Sequence, residues 1–341
     1  MQNSGYSSLV LSSSFSSSLS SYPLFLLHGK MANSEETSTG NSQWDTILEL
    51  FDVKAPAAST PVNGVVSSDI TIDTSRNLWF RLYVPTVSEA GASTTLPVIV
   101  YFHGGGFMFW SPDLKPYDDL CRRIAGALSA VVVSVNYRLA PEHQYPAPYD
   151  DGFETLKFLD SKKVEGFPAN TDIEKCFLAG DSAGGNLAHH VAVIAGDYDF
   201  QALKILGLIL IQPFFGAEER TESELRLESD PMMPMERTDW AWKQFLPDGS
   251  DRDHPAANVF GPRSKDISGV MFPATLIVVG GLDPLQDLSR RYYEWLIISG
   301  KEAKMVEYPN APHLFYAFLE LLEFSMAISE IKGFVRKLLT K

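Results

Sequence analysis

The stretch "KCFLAGDSAGGNLAHHVAVIAG", residues 175–196, runs from a short apolar segment through a glycine-rich turn into a longer, helix-like segment. Ser182 lies in that turn, between Gly180 and Gly184. The glycines let the turn close without Cβ clashes, and a helix that begins just after the serine offers backbone N–H groups to developing negative charge. A G-x-S-x-G match is weak by itself, but a strand, a serine and a helix in this order are typical of a nucleophile. We therefore predict that Ser182 is a nucleophile, the alternative being a small residue in a bend.

The chain around this stretch alternates between short apolar runs and longer helix-like segments. The runs are "PVIVYF", "AVVVSVNY", "KCFLAG", "ILGLILIQ", "ATLIVVGG" and "AKMVEYP", and the helix-like segments include 113–128, 149–161, 184–197 and 286–299. Runs that are apolar throughout indicate strands covered on both faces. The alternation predicts a doubly wound, mostly parallel α/β sheet. Two earlier runs, "GVVSSDITID" and "LWFRLYVP", predict an antiparallel hairpin before it.

Three further regions are set apart by their composition. Residues 1–43, rich in serine, are predicted to be a disordered leader or a transit segment outside the folded domain at 44–341. The absence of arginine from this leader favours a cytoplasmic protein, with the plastid as the alternative. Within the domain, residues 44–56 have the pattern of a short amphipathic helix, and the long insertion at 216–262 is predicted to be a lid over a site. Helical packing without ligand contact is the alternative for the insertion.

Charge and cysteine content exclude several classes of protein. A formal net charge of -14 argues against nucleic acid or an anionic membrane as a partner. Two cysteines cannot form a disulfide framework, and no apolar run is long enough to span a membrane. We expect a monomer or a homodimer that acts on a small molecule.

A glycine run follows the first predicted parallel strand, in "VYFHGGGFMFW". Gly104, Gly105 and Gly106 allow the backbone to turn N–H groups toward a ligand, and the N–H of Ala183 follows the nucleophile. Preorganised N–H donors that face a developing oxyanion lower the barrier by about 3–4 kcal/mol each. We predict an oxyanion hole from these four residues, with His103 in a structural role. A glycine loop without a role is the alternative.

The base and the acid are sought at the ends of the remaining strands. His313 follows the last run, at the sheet edge where open α/β sheets bind ligands. His189 and His190 lie in the helix after the serine and cannot reach back to it. Asp283 ends the run "TLIVVGGLD", whereas its rival Asp287 fits better at the start of a helix. A serine hydroxyl needs such a base, and the order serine, aspartate, histidine matches that of the α/β-hydrolases.

Together, the motifs "HGGG", "GDSAGG", "YRLAPEHQYPAPYDD", "GGLDPLQD" and "PNAPHLFYAF" resemble those of the hormone-sensitive-lipase-like branch of the α/β-hydrolases, and above all its plant carboxylesterases. The resemblance extends from about residue 45 to 340. It implies the α/β-hydrolase fold, ester hydrolysis with Ser182, Asp283 and His313 as the catalytic triad, and no metal or cofactor. It also implies that the N-terminal helix and the insertion cover the pocket.

The same resemblance leaves two functions other than hydrolysis open. The branch includes gibberellin receptors, which lack the triad histidine and carry serine at the position of Gly106. Relatives that exclude water carry out acyl transfer or cyclisation of specialised metabolites. The pocket walls are predicted from apolar residues near the motifs, with plain core as the alternative for each: Phe107, Phe109, Phe214, Phe215 and Met232.

Overall fold

Eight strands form one sheet in the computed structural model, which describes residues 52–86, 95–161 and 164–341. The strands are β1 (Val65–Asp73), β2 (Leu78–Pro85), β3 (Leu96–Phe102), β4 (Val131–Asn136), β5 (Thr171–Asp181), β6 (Ile205–Ile211), β7 (Ala274–Leu282) and β8 (Ala303–Pro312). Their order across the sheet is β1-β2-β4-β3-β5-β6-β7-β8. The pairs β1–β2 and β2–β4 are antiparallel, and all other pairs are parallel. The predicted hairpin and the mostly parallel sheet are confirmed.

Seven α-helices are found in the described residues, together with a 3-10 helix at Phe315–Ala317. They are α1 (Lys115–Leu128), α2 (Ala147–Ser161), α3 (Ala183–Ala195), α4 (Glu222–Arg226), α5 (Met235–Phe245), α6 (Gln286–Ile298) and α7 (Leu322–Leu339). The predicted segments 113–128, 149–161, 184–197 and 286–299 correspond to α1, α2, α3 and α6. Helix α3 is buried along almost its whole length, which fits its largely apolar sequence.

The core lies on both faces of the sheet. Side chains alternate between the faces of a strand, and in β3 the side chains of Val98, Val100 and Phe102 join one cluster while Ile99 and Tyr101 join the other. All seven residues of β3 are buried. The uninterrupted apolar runs of the sequence thus correspond to strands with helices on both sides.

The insertion lies within the described residues, whereas the leader does not. Residues 212–273 connect β6 to β7, and this connection contains only the helices α4 and α5. The leader and most of the predicted helix at 44–56 lie outside the described residues. Residues 52–56 of that helix are described and are not helical, because Lys54 forms an isolated β-bridge with Leu114. No helix in the described ranges is long and apolar enough to cross a membrane.

Both cysteines are inside the core. Cys121 lies on α1 and Cys176 on β5, and both are free thiols with no exposed surface. Burial raises the pKa of each thiol well above its usual value. Since the thiolate is the reactive form, neither cysteine is set up for nucleophilic chemistry.

Candidate active site

The ends of three parallel strands bring together a serine, a histidine and an aspartate. Ser182 follows β5, Asp283 follows β7 and His313 follows β8. Nε2 of His313 lies 3.1 Å from Oγ of Ser182, and Nδ1 of the same ring lies 2.9 Å from Oδ2 of Asp283. An ionised carboxylate can only accept a hydrogen bond, so Nδ1 carries the proton and Nε2 is left to accept from the serine. All three side chains are buried.

Ser182 has an unusual backbone conformation, with φ 49° and ψ -118°. Its N–H donates to the carbonyl of Ile211 on the neighbouring strand, 2.9 Å away. The helix that follows passes so close to β3 that a Cβ added to Gly184 would lie 1.9 Å from the carbonyl oxygen of Phe102. A Cβ on Gly180 would lie 2.2 Å from the carbonyl oxygen of Gly184. Glycine at both positions therefore allows the sharp turn that carries the serine.

His313 is a stronger base than a free imidazole. Burial lowers the pKa of His313, but the charge of Asp283 and its hydrogen bond to Nδ1 together raise the pKa by more than burial lowers it. The net shift is therefore upward from 6.5. The more distant carboxylates of Asp230 and Asp181 act in the same direction. A raised pKa makes the neutral imidazole a better proton acceptor for the serine hydroxyl.

Gln212, which is not among the residues predicted from the sequence, holds the histidine loop in place. Its side-chain Nε2 donates to the carbonyl of Pro312 at 3.0 Å, and its Oε1 accepts the N–H of Leu314 at 3.1 Å. The residue is fully buried and has a φ of 46°. A single polar side chain that directly follows the apolar β6, at the carboxyl edge of the sheet, was the signal available in the sequence.

The glycine run contributes N–H groups unequally. Gly105 and Gly106 have φ of 102° and 61°, in the left-handed region that glycine adopts without strain. No hydrogen bond joins the N–H of Gly105, Gly106 or Ala183 to another described residue. The prediction was wrong for Gly104, because its N–H already donates to the hydroxyl of Tyr117 at 2.9 Å.

A buried carboxylate connects the glycine run to the serine turn. Asp181 accepts hydrogen bonds from the hydroxyls of Tyr101 at 2.6 Å and Tyr117 at 3.0 Å. Because Tyr117 also accepts from Gly104, a continuous chain of hydrogen bonds runs from the glycine loop to the residue before Ser182. Burial raises the pKa of Asp181, whereas the tyrosine hydroxyls lower it by a smaller amount.

A cavity of about 410 Å³, part of it open to solvent, lies over Ser182 and His313. Its lining residues are Gly105, Gly106, Phe109, Trp110, Ser182, Phe214, Met233, Arg237, Thr238, Ala241, His313 and Leu314. Two of the predicted pocket residues are therefore present, Phe109 and Phe214. Met233, Arg237, Thr238 and Ala241 come from the insertion, which places part of that segment against the site.

The pocket prediction was wrong for Phe107, Phe215 and Met232, which are buried in the core. The ring of Phe107 stacks on Phe245 with centroids 3.9 Å apart, and Phe215 packs against Tyr292 at 4.7 Å. Met232 belongs to the apolar cluster on the other face of the sheet, and its neighbour Met233 lines the cavity instead. Proximity to a motif did not reveal which face of the local backbone each side chain occupies.

Asp287 and His103, which the sequence also brought into consideration, form their hydrogen bonds with residues outside the triad. Asp287 accepts from the N–H of Ser223 at 2.8 Å and pairs with Arg290, so it belongs to the packing of α4 on α6. His103 is buried, lies 2.8 Å from the carbonyl of Gly104 through Nδ1, and stacks on Tyr137. Burial lowers the pKa of His103 to about 4, which keeps it neutral. No cluster of three or more metal-binding side chains occurs within 52–86, 95–161 and 164–341.

Comparison with known families agrees with this geometry. A family described as the alpha/beta hydrolase fold matches residues 99–317, which is more than half of the chain. The chain belongs to the α/β-hydrolases. A second match, to the carboxylesterase family, covers residues 50–141.

The relatives of this α/β-hydrolase include both receptors and esterases. Gibberellin receptor GID1C of Arabidopsis thaliana is 44% identical over 301 residues, covering 85% of this chain and 86% of the receptor. Carboxylesterase 20 of the same plant is 40% identical, covering 75% of this chain and 80% of that protein. Among solved structures, the esterase of Pyrobaculum calidifontis is 29% identical with a TM-score of 0.69, covering 82% and 88% of the two chains. The resemblance to plant carboxylesterases and gibberellin receptors is thus confirmed, and both activities occur among the relatives.

Proposed function

We propose that this α/β-hydrolase is a serine carboxylesterase that cleaves small to medium carboxylic esters. The observation that carries the proposal is the continuous hydrogen-bonded path from Ser182 through His313 to Asp283, beside the N–H groups of Gly105 and Gly106. A nucleophile, a base and an orienting acid within hydrogen-bond reach are the parts that acyl transfer requires.

The proposed mechanism has two halves. Oγ of Ser182 attacks the ester carbonyl carbon while Nε2 of His313 takes the hydroxyl proton. The carbonyl oxygen becomes an oxyanion, which the N–H groups of Gly105, Gly106 and Ala183 stabilise. The imidazolium then gives its proton to the departing alcohol. In the second half His313 removes a proton from water, the resulting hydroxide attacks the acyl-enzyme, and the acid leaves as Ser182 regains its proton.

The apolar wall of the cavity supports an ester with an apolar body. Phe109, Trp110 and Phe214 contribute aromatic surface close to the serine. Aromatic side chains bury large apolar areas, and the gain from burying apolar surface is non-directional, so a variety of apolar groups can be accommodated. The insertion that supplies Met233 and Ala241 to the cavity remains our proposed lid.

The test is hydrolysis of 4-nitrophenyl acetate and 4-nitrophenyl butyrate by the purified full-length chain. We expect turnover by the wild type and a loss of at least about 1000-fold in kcat for Ser182→Ala. Ser250→Ala, at an exposed serine far from the triad in sequence, is the matched control and should retain full activity. Equal activity of the wild type and Ser182→Ala would refute the proposal.

Hormone binding is the second candidate, because the similarity to a gibberellin receptor extends over most of both chains. Isothermal titration with gibberellic acid tests it directly. Tight binding by a chain that leaves the 4-nitrophenyl esters intact would favour the receptor reading. Formation of a new ester on addition of an acceptor alcohol would instead indicate acyl transfer.

A further inference from the structure

One buried amide, that of Asn186, binds two distant parts of the chain at once. Asn186 lies on α3, one helical turn after the nucleophile, and its N–H donates to the carbonyl of Ser182. Its side-chain Nδ2 donates to the carbonyl of Phe214 at 3.0 Å and to that of Ala256 at 2.8 Å. Its Oδ1 accepts the hydroxyl of Tyr149 at 2.7 Å. Both amide protons and the amide oxygen thus have partners, and the side chain is fully buried.

The two carbonyls belong to the two ends of the segment that reaches the cavity. Phe214 lies just before the insertion, and Ala256 lies toward its end. The chain between them contains α4, α5 and every residue that the insertion contributes to the cavity wall. The N–H of Gly216 donates to the carbonyl of Ala257 at 3.0 Å, which joins the two ends directly. Nε2 of His190, also on α3, lies 3.2 Å from the carbonyl of Ala256. The base of the insertion is therefore bound to the helix that carries the nucleophile, and Asn186 is bound to both of its ends.

Phe214 connects this amide to the wall of the cavity. The N–H of Phe214 donates to the carbonyl of Ser182 at 2.8 Å, so its backbone is bound by the nucleophile's residue and by Asn186. Its side chain lines the cavity, and its ring stacks on Trp242 of α5, with centroids 4.3 Å apart and an interplanar angle of 14°. Ala241, the residue before Trp242, lines the same cavity. The distance from the nucleophile to this wall therefore depends on where Phe214 is held.

We propose that Asn186 is a positioning residue for substrate selection, which holds Phe214 and α5 at the distance from Ser182 that favours esters with an extended apolar group. The proposal rests on the proposed esterase function and concerns how its substrate is chosen. A wall that is ordered before the ester arrives binds more tightly than one that becomes ordered on binding. A hexyl or hexanoyl group gains more from such a wall than an ethyl or acetyl group, because it buries more apolar surface.

The kinetic experiment compares a long and a short group on each side of the ester. In the acyl series, 4-nitrophenyl hexanoate is compared with 4-nitrophenyl acetate, and in the alcohol series, hexyl acetate is compared with ethyl acetate. The quantity measured is the ratio of kcat/KM for the long ester to kcat/KM for the short one. Asn186→Leu removes both donations and keeps a side chain of similar size. We expect it to lower the ratio about fivefold in one series, mainly through KM and with a smaller change in kcat.

Two further variants separate positioning from a general loss of stability. Tyr292→Phe removes a buried hydrogen bond 2.9 Å long to His189, on the same helix α3, and that hydroxyl makes no hydrogen bond to the described part of the insertion. It should leave both ratios unchanged. Tyr149→Phe removes the hydroxyl that Asn186 accepts but keeps both donations, so it should lower the ratio by less than Asn186→Leu does.

A binding experiment separates failure of this proposal from failure of the esterase function. In the Ser182→Ala background, titration with the same four esters, followed by tryptophan fluorescence, measures affinity without turnover. A roughly fivefold loss of affinity for one long ester relative to its short partner, on adding Asn186→Leu, supports the proposal even if the wild type hydrolyses nothing. Asn186→Ser, which keeps one donor, replaces Asn186→Leu in both experiments if the latter does not fold. Kinetic and affinity ratios that stay unchanged or rise in both series overturn the proposal, whether or not esters are cleaved.

Discussion

Gln212 holds His313 from both sides, because its one amide group donates to the carbonyl before the histidine and accepts the N–H after it. A side chain outside the triad therefore fixes the backbone on both sides of the imidazole. Gln212 is a positioning residue in this arrangement.

Replacement of Gln212 by Met should lower kcat for 4-nitrophenyl butyrate by tenfold to a hundredfold or so, with a smaller change in KM, because a misplaced base costs rate rather than binding. The free energy of unfolding should fall by about 1–3 kcal/mol, since a buried carbonyl and a buried N–H lose their partners. Steady-state kinetics and urea unfolding measure the two effects. Gln201→Ala, at an exposed glutamine, is the control. A Gln212→Met protein that loses stability but keeps the wild-type kcat would contradict the positioning role.

The pH dependence of kcat/KM should report the raised pKa of His313. The base acts in its neutral form, so activity should rise with pH and its midpoint should lie above 6.5, the ordinary histidine value. Asp283→Asn removes the largest of the influences that raise this pKa, so it should move the midpoint to lower pH and reduce kcat by about 10⁴. Profiles between pH 5 and 9 measure both effects.

Asp287→Asn is the matched control for this profile, because that carboxylate pairs with Ser223 and Arg290 instead. Its midpoint should equal that of the wild type. The assignment of the acid would have to be reversed if Asp287→Asn moved the midpoint and Asp283→Asn did not.

Removal of the Tyr117 hydroxyl should weaken the oxyanion hole from a distance. Tyr117→Phe leaves the N–H of Gly104 without an acceptor and Asp181 with one hydroxyl fewer. We expect kcat to fall about tenfold and the free energy of unfolding to fall by about 1 kcal/mol. Tyr308→Phe removes a hydroxyl that is equally buried but has no hydrogen-bond partner among the described residues, so it should be neutral or slightly stabilising. Equal effects of the two substitutions would show that Tyr117 has no special connection to the glycine loop.

Two glycine-to-alanine substitutions should have opposite signs. Gly184→Ala puts a methyl group 1.9 Å from the carbonyl oxygen of Phe102, so either the helix or the strand must move. We expect a loss of several kcal/mol in the free energy of unfolding, or failure to fold. Gly333→Ala lies at an exposed position of α7 where an added Cβ meets nothing within 4 Å, and it should stabilise by about 0.5–1 kcal/mol. Thermal unfolding compares them, and a stable Gly184→Ala protein would disprove the close approach.

Much of this architecture could be predicted from the chain because the relevant signals are local. Apolar runs such as β3, followed by glycine turns, fixed the sheet, and each of Ser182, Asp283 and His313 directly follows such a run. Parallel strands bring their carboxyl ends to one edge of the sheet. The closeness of the three side chains in space therefore followed from the position of each at the end of its strand.

The cavity wall was harder to predict because it depends on side-chain direction in irregular segments. In a strand, the alternation of side chains shows which residues face the core and which face outward. Residues 212–234 contain only one short helix and are otherwise irregular, so no such pattern is available there. Neighbouring side chains there point in different directions: Met232 packs in the core, whereas Met233 lines the cavity. Gln212 was missed for a related reason, since its importance lies in two backbone groups about a hundred positions away.

The deep burial of both thiols has a practical benefit. Since Cys121 and Cys176 are the chain's two cysteines and neither has exposed surface, a cysteine introduced at a solvent-facing position of the insertion such as Leu225 would be the one that maleimide dyes reach. A single fluorophore could thus be attached without first removing the native residues, and movements of the insertion over the cavity could be followed spectroscopically in the otherwise unaltered protein.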